Sequence, residues 1–445
     1  MALASWGLSR RRNRAATTVD GWVHPAFAEV ATTLKRMLRK QPGGGAVCVY
    51  HRGDCVVDLW GGRRDRAGTG WDSDTLAPSF STSKGVASTL VHIMVDRGLL
   101  DYDDRVADHW PEFARAGKED ITIRQVLTHQ AGLYHIRRMV DRADRMLDWE
   151  HMIAAIEASA PIHKPGERSG YHGFTYGYIV GEIVQRVTGK RFSQLVQDEI
   201  AAPLGLDGMY IGAPEKALPR VAELMWPRWM ALNPGPTGGA VMARASHAVW
   251  RAAGFTGPVA RATRVGFDVQ STLDALAPNG ISAFDFGAAE TLRAVIPSGN
   301  GLFTARSLAR MYAALAGGGE IDGVRLISRK TLVRAMEVQT RTRTCAVIPF
   351  DMRWRLGYHV VGTTRGILPY AFGHFGFGGS GAWADPTRDL AIAMTVNSGM
   401  GTPFGDLRMM RLGTAALGCA DVRSGATAPQ AEPAEPELVP QRATA

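Results

Sequence analysis

The sequence predicts an α/β (α+β) protein in which strands from both ends of the chain form one sheet domain and the helices between them form an insertion. Three observations carry this reading. Strand-like runs fall near the front, at 46–59, and again near the back, between 356 and 396. Apolar residues between them recur mostly at helical spacing. The chain has 445 residues, more than one core usually supports, since single cores stop growing near ~250–300 residues. The expected partition is a flexible basic stretch at 1–18, a sheet domain from 19–95 and 296–420, a helical domain at 96–295, and a disordered tail at 421–445 rich in Pro, Ala and Glu.

Residues 24–40 show an amphipathic helical pattern. A hairpin follows, with strands at 46–51 and 55–59 turning at Arg52, Gly53 and Asp54. That register pairs His51 with Cys55 and sets Cys48 opposite Asp58, which argues against a disulfide between the two cysteines. A long helix begins near Ser81, where Val86, Leu90, Ile93 and Met94 recur at helical spacing and Gly98 supplies a stop. Thr122 and Gln125 read as a capping box before a helix at 126–129. Asp148 caps a helix at 149–158, Gly189 closes one at 174–187, and another at 193–201 ends before Pro203. Over 214–300 the pattern weakens, with loop punctuation at Asn233-Pro234-Gly235-Pro236, so irregular chain with short helices is expected. Thr304 caps a helix at 305–316 that ends in three glycines. Strand-like runs at 356–361, 371–377 and 390–396 follow, and a turn at 385–388 joins the last to a short run at 382–384. A helix at 406–417 closes the ordered chain.

Composition excludes several classes. Hydrophobic residues make up 45% and charged residues 21% of the chain, which is ordinary globular usage and not that of a disordered, collagen-like or coiled-coil protein. No stretch approaches the ~18 uninterrupted apolar residues of a membrane span. The net charge of +9 is modest, and Arg10, Arg11, Arg12 and Arg14 supply four of its positives in what reads as a solvated tail. Neither nucleic acid nor stable membrane insertion is therefore expected. No secretion signal is read in residues 1–20, so the expected compartment is the cytoplasm. Cys48, Cys55, Cys345 and Cys419 follow no metal or disulfide spacing.

The chemistry emerges by elimination. No serine has glycine at both −2 and +2, so the nucleophile elbow of α/β-hydrolases is absent. No histidine falls in an HExxH pattern, and there is no Walker loop. Residues 376–381 match GxGxxG but run on into strand and turn residues rather than a helix, which argues against dinucleotide binding. What stands is Ser81-Thr82-Ser83-Lys84, the single SxxK in the chain. At the start of a helix this spacing puts both side chains on one face, where the amine can withdraw the hydroxyl proton. The free N–H groups of the first turn favour developing negative charge there. An ordinary helix cap with a surface lysine would give the same pattern.

The surroundings add to the pair. Phe80-Ser81-Thr82-Ser83-Lys84-Gly85 resembles the nucleophile motif of the serine β-lactamase and penicillin-binding-protein superfamily. Residues 126–133 look like its "LLTHxSGL" segment. Tyr171-His172-Gly173 and the stretch 175–182 are similar to its YxN loop and following helix. Residues 296–301, running on to 316, look like its helix entry. Phe372-Gly373-His374-Phe375-Gly376 is similar to the HxG variant of its KTG strand. The likeness spans about 19–417 and is nearest to the β-lactamase-like carboxylesterases.

That resemblance implies a β-lactamase-like fold, an antiparallel sheet flanked by helices with a mostly helical inserted domain. Ser81 would carry the acyl group, and Lys84 with Tyr171 would form the base pair around its hydroxyl. The backbone N–H groups of Ser81 and of Phe377, next to Gly376, would form the oxyanion hole, and His374 would replace the usual lysine. Gly173 stands where many members have Asn, and a histidine is a weaker cationic anchor than lysine at neutral pH. Both departures suit a neutral ester better than a penicillin. The expected activity is therefore hydrolysis of carboxylic esters with short- to medium-chain acyl groups, on a small-molecule substrate and with no metal or cofactor. A homo-oligomer is allowed. The alternatives are a β-lactamase or D-alanyl carboxypeptidase and, from another class, a non-catalytic binding protein on the same fold. Tyr176 and Tyr178 rival Tyr171 as the base. His129 reads as a packing or capping residue, and Trp226, Trp229, Met230 and Trp250 as either an acyl pocket or plain packing.

Overall fold

In a computed structural model of the chain, residues 18–225, 268–340, 345–348, 351–399 and 406–425 are described. Seven strands form one sheet. β1 (Val19–Val23), β2 (Gly45–His51) and β3 (Asp54–Gly61) come from the front, and β4 (His359–Thr363), β5 (Gly366–Phe375), β6 (Gly381–Asp385) and β7 (Leu390–Val396) from the back. Their order is β1-β3-β2-β7-β6-β5-β4, with every neighbouring pair antiparallel. The two ends of the chain meet where β2 pairs with β7, from Gly45 opposite Val396 to His51 opposite Leu390.

Alternation gives the sheet two unlike faces. Val47, Val49, Val57, Ile392, Met394 and Trp383 fill one face. Ala46, Cys48, Ala382, Ala384, Ala391 and Ala393 line the other. The bulky face is covered by α1 (Ala28–Leu38) and, from the back of the chain, by Leu407–Arg423, which pack against each other through Leu34, Leu38, Met409 and Leu412. Each such side chain contributes about 1.5–3 kcal/mol on burial, more than the ~0–1 kcal/mol of a surface ion pair, so apolar packing fixes these helices. The small-residue face lets Ala305–Ala316 lie close against β2, β6 and β7.

Three further helices matter for the site: α2 (Ser83–Asp96), α3 (Thr175–Thr188) and α4 (Val269–Leu276). We number the two helices just described α5 (Ala305–Ala316) and α6 (Leu407–Arg423). The apolar spacing expected for α2 puts it in the core, and every residue from Ser83 to Val95 is buried, its polar residues included. Ser88 and Thr89 are satisfied internally, donating back to the carbonyls of Lys84 and Gly85 at 2.6 and 2.8 Å. Between α2 and residue 296 the described regular elements are helices and the short strand Met209–Tyr210.

The caps at Asp148 and Thr304, the capping box of Thr122 with Gln125, and the left-handed Gly189 stand where expected. Other expectations shift. The helix after Thr122 is Ile123–Leu127, and His129 lies beyond it. The hairpin turns on Arg52 and Gly53 alone, both at positive φ. A register shift after Val49 then sets Tyr50 opposite Cys55 and His51 opposite Asp54, so the expected His51–Cys55 pairing is displaced. Cys48 does face Asp58, and all four cysteines are free. β5 stops at Phe375, short of Gly376 and Phe377. α6 runs through Arg423, into the stretch expected as tail, because Ala420 is buried and Arg388 donates to Asp421 at 2.8 Å. β1, with polar Asp20 and Gly21 in its middle, carries no strand pattern; backbone pairing with β3 makes it an edge strand. Residues 1–17 and 426–445 lie outside the described residues.

Candidate active site

Ser81 sits in the short turn Phe80–Thr82 that leads into α2. Phe80 has φ +47°, a left-handed conformation uncommon for a bulky residue. The turn is tied down on several sides. Ser79 N–H donates to Gly301 O at 2.8 Å, and Ser79 Oγ to Ala77 O at 2.8 Å. Thr82 Oγ1 donates to Ser380 O at 3.0 Å, and Ser83 Oγ to Phe80 O. The neighbouring hydroxyls are thus committed to backbone carbonyls, while Ser81 Oγ lies 3.2 Å from Lys84 Nζ.

Lys84 is fully buried, and no carboxylate is among its hydrogen-bond partners. Its Nζ also donates to Gly173 O at 2.7 Å and Ser298 O at 3.0 Å, and it lies 4.9 Å from the centroid of the Tyr171 ring. Burial pushes the amine well below its ordinary pKa. A neutral amine has two N–H groups and one lone pair, which matches two carbonyls and one hydroxyl.

Tyr171 is buried, and its ring stacks on Trp354 at 5.8 Å with an interplanar angle of 6°. Burial raises its phenol, and Ser81 is the one group drawing it back down. Its hydroxyl makes no hydrogen bond of ordinary geometry, so it faces Ser81 loosely. The two rivals are committed elsewhere: Tyr176 OH pairs with Ser88 Oγ at 2.7 Å, and Tyr178 OH donates to Met146 O. His129 packs 4.8 Å from the Tyr171 ring and accepts from His172 N–H through Nδ1 at 3.1 Å, a packing role as expected.

His374, on β5, is fully buried, with its ring 6.4 Å from that of Tyr171 and 4.9 Å from that of His359. Burial, with help from His359 and Lys84, lowers its pKa well below the usual range, so the ring is neutral at pH 7. Gly376 follows β5, and a Cβ there would stand 2.1 Å from Ser79 O. Only glycine lets the strand end approach the Ser81 turn this closely. The rings of Phe377 and Phe80 lie 6.2 Å apart, which places Phe377 beside that turn. Gly379 N–H donates to Gly376 O at 2.9 Å, so the GxGxxG match is a β-turn between β5 and β6 and opens no helix.

Gly173 is packed from outside: a Cβ would stand 2.6 Å from both Ala275 O and Leu276 Cδ2 of α4. Trp354 and the carbonyls of Gly173 and Ser298 escaped the sequence reading. Two of these act through backbone oxygen, which leaves no side-chain signal, and Trp354 reaches Tyr171 only through the fold. Trp226, Trp229, Met230 and Trp250 lie outside the described residues. No group of three or more His, Cys, Asp or Glu among the described residues is placed to hold a metal ion.

The family model "Beta-lactamase" matches residues 30–415. The chain belongs to the β-lactamase family. It is 37% identical over 382 residues to the "Esterase/beta-lactamase LipL" of Mycobacterium tuberculosis, covering 85% of this chain and 83% of that one. Among solved structures it resembles a penicillin-binding-protein homologue from Caulobacter crescentus, with a TM-score of 0.76, 35% identity and coverage of 91% of this chain and all of that one. A family VIII carboxylesterase aligns with the same TM-score at 33% identity, over 90% of this chain and all of the other. The chain is thus a hydrolase of the β-lactamase fold. No helix of the described residues is long and apolar enough to cross a membrane.

Proposed function

We propose that this protein hydrolyses carboxylic esters with short- to medium-chain acyl groups through an acyl-enzyme on Ser81. The observation that carries the reading is the buried Lys84 amine, held by two carbonyls with its third direction on Ser81 Oγ at 3.2 Å. As Ser81 Oγ bonds to the ester carbonyl carbon, Lys84 takes the hydroxyl proton. The carbonyl oxygen becomes an oxyanion, which the N–H groups of Ser81 and Phe377 would receive. Tyr171, kept as a neutral phenol, gives its proton to the departing alkoxide and regains one from the Lys84 ammonium. Water then adds to the acyl-enzyme by the same route in reverse and releases the carboxylic acid. His374 and Gly376 shape the substrate side of this site.

Gly173 and the neutral His374 favour esters over β-lactams. A penicillin would lose a side-chain amide contact and a fixed positive charge, each worth about 1.5–3 kcal/mol. Together that is roughly 10²–10⁴ in kcat/KM. The relatives named as esterases support the same choice. We also read 19–95 with 296–420 as one sheet domain, and 96–295 as a helical insertion that places Tyr171 and Gly173 across from Ser81.

The test is a panel of p-nitrophenyl esters and a chromogenic cephalosporin, with intact-mass measurement after treatment with a fluorophosphonate. We expect ester turnover and one adduct, on Ser81. Unchanged labelling of Ser81→Ala, or a cephalosporin kcat/KM equal to that for the butyrate ester, overturns the proposal.

A further inference from the structure

Among the described residues, two sets of rings flank the turn that carries Ser81. Tyr171 has His129, Trp354 and His374 as ring neighbours. Phe80, the residue before the nucleophile, instead meets Phe286 at 5.2 Å and Phe377 at 6.2 Å, and Phe284 backs Phe286 at 4.8 Å. Phe284 and Phe286 lie just beyond α4, whose Ala275 and Leu276 close the space beside Gly173. One stretch of chain therefore packs behind Gly173 and lays an aromatic ring against the residue next to Ser81. Phe286 is partly exposed.

We infer that Phe286, with Phe80 and Phe377, forms the wall that receives the acyl chain, and that it selects straight apolar acyl groups over acetyl. This rests on the acyl-enzyme reading above. The leaving alcohol has to face the proton donors Lys84 and Tyr171, which belong to the other set of rings. The acyl group stays bonded to Ser81 through both half-reactions and needs an apolar surface that does not donate protons. An aromatic face beside Ser81 would take methylenes of the acyl chain out of water, so each added CH₂ favours binding. A flat aromatic wall lies along an unbranched chain more fully than along one branched next to the carbonyl.

The experiment compares p-nitrophenyl acetate, butyrate, hexanoate and pivalate on wild type, Phe286→Ala and Phe286→Leu, so that the leaving group is constant and only the acyl part varies. Fluorophosphonate labelling of Ser81 in each variant checks that the site is assembled. Wild type should prefer butyrate and hexanoate to acetate and should reject pivalate. In Phe286→Ala the butyrate-to-acetate ratio of kcat/KM should fall about tenfold, mainly through KM, and Phe286→Leu should restore much of it. Labelled variants with an unchanged ratio overturn this inference and leave the ester reading intact. Absence of Ser81 labelling in wild type overturns both.

Discussion

Lys84 and Tyr171 differ in what burial does to them. The amine is pushed toward neutrality and the phenol is kept protonated, which suits the proposed roles of the lysine as first proton acceptor and the tyrosine as relay. Lys84→Ala and Tyr171→Phe should each lower kcat by roughly 10²–10⁴, the scale of general-base loss. Because the two act as a unit, the double variant should be little worse than either single one; additive losses on p-nitrophenyl butyrate would separate their roles. Lys84 also leaves a trace in stability. Its folded pKa lies below its unfolded value of ~10.4, so between the two the unfolded chain holds a proton that the native one lacks. Stability from this group therefore rises with pH through that window, by up to about 1.4 kcal/mol per pH unit. Urea midpoints of wild type minus Lys84→Met, taken from about pH 8 to 9.5, should climb; a flat difference contradicts a depressed amine.

At the scale of elements, the site is held by close approaches of backbone. β5 ends against the turn of Ser81 because Gly376 has no Cβ, and Gly376→Ala would place one 2.1 Å from Ser79 O. The strand end must then withdraw from Phe80–Thr82 and carry Phe377 N–H with it. We expect a loss of kcat with KM little changed, together with about 1–3 kcal/mol of stability, the usual cost of overpacking. An unaltered kcat would show that Phe377 does not serve the oxyanion. α4 sets a second limit. Installing the family's asparagine in the YxN loop, Gly173→Asn, requires Ala275 and Leu276 to move, so the single substitution should lower the melting temperature before it adds any β-lactam contact. A cephalosporin activity gained at undiminished melting temperature would show that α4 yields freely.

Across the whole molecule, a band of buried histidines runs beside the site. His129, His172, His359 and His374 are all buried, with His359 lowered to about 4 and His172 to about 3, chiefly by burial. His129 and His374 are lowered as well. They are neutral in the native protein, whereas in the unfolded chain they take protons below pH ~6.5. Falling pH thus favours unfolding from about 6.5 toward 4, by up to about 1.4 kcal/mol per unit for each histidine. Urea midpoints at about pH 7, 6 and 5 should drop steeply; constant midpoints would mean that the histidines carry charge in the native state.

By itself, the sequence determined those features whose cause is local or covalent: the Ser81–Lys84 spacing, the caps at Thr122, Asp148 and Thr304, the hairpin at Gly53, and the buried strands that bring both ends of the chain into one sheet. Family motifs added Tyr171 and His374 in order along the chain. Tertiary structure decided what depends on distance between segments far apart in the chain. It tied Tyr176 to Ser88 and Tyr178 to Met146, stacked Trp354 on Tyr171, and brought the carbonyls of Gly173 and Ser298 to one amine. It also drew the strand β1 from a stretch with no strand pattern, because edge pairing is a property of the partner strand. Periodicity reports which face of an element is apolar. It cannot report which backbone oxygen, ring or helix end meets that face, and those meetings turn a serine and a lysine into a candidate active site.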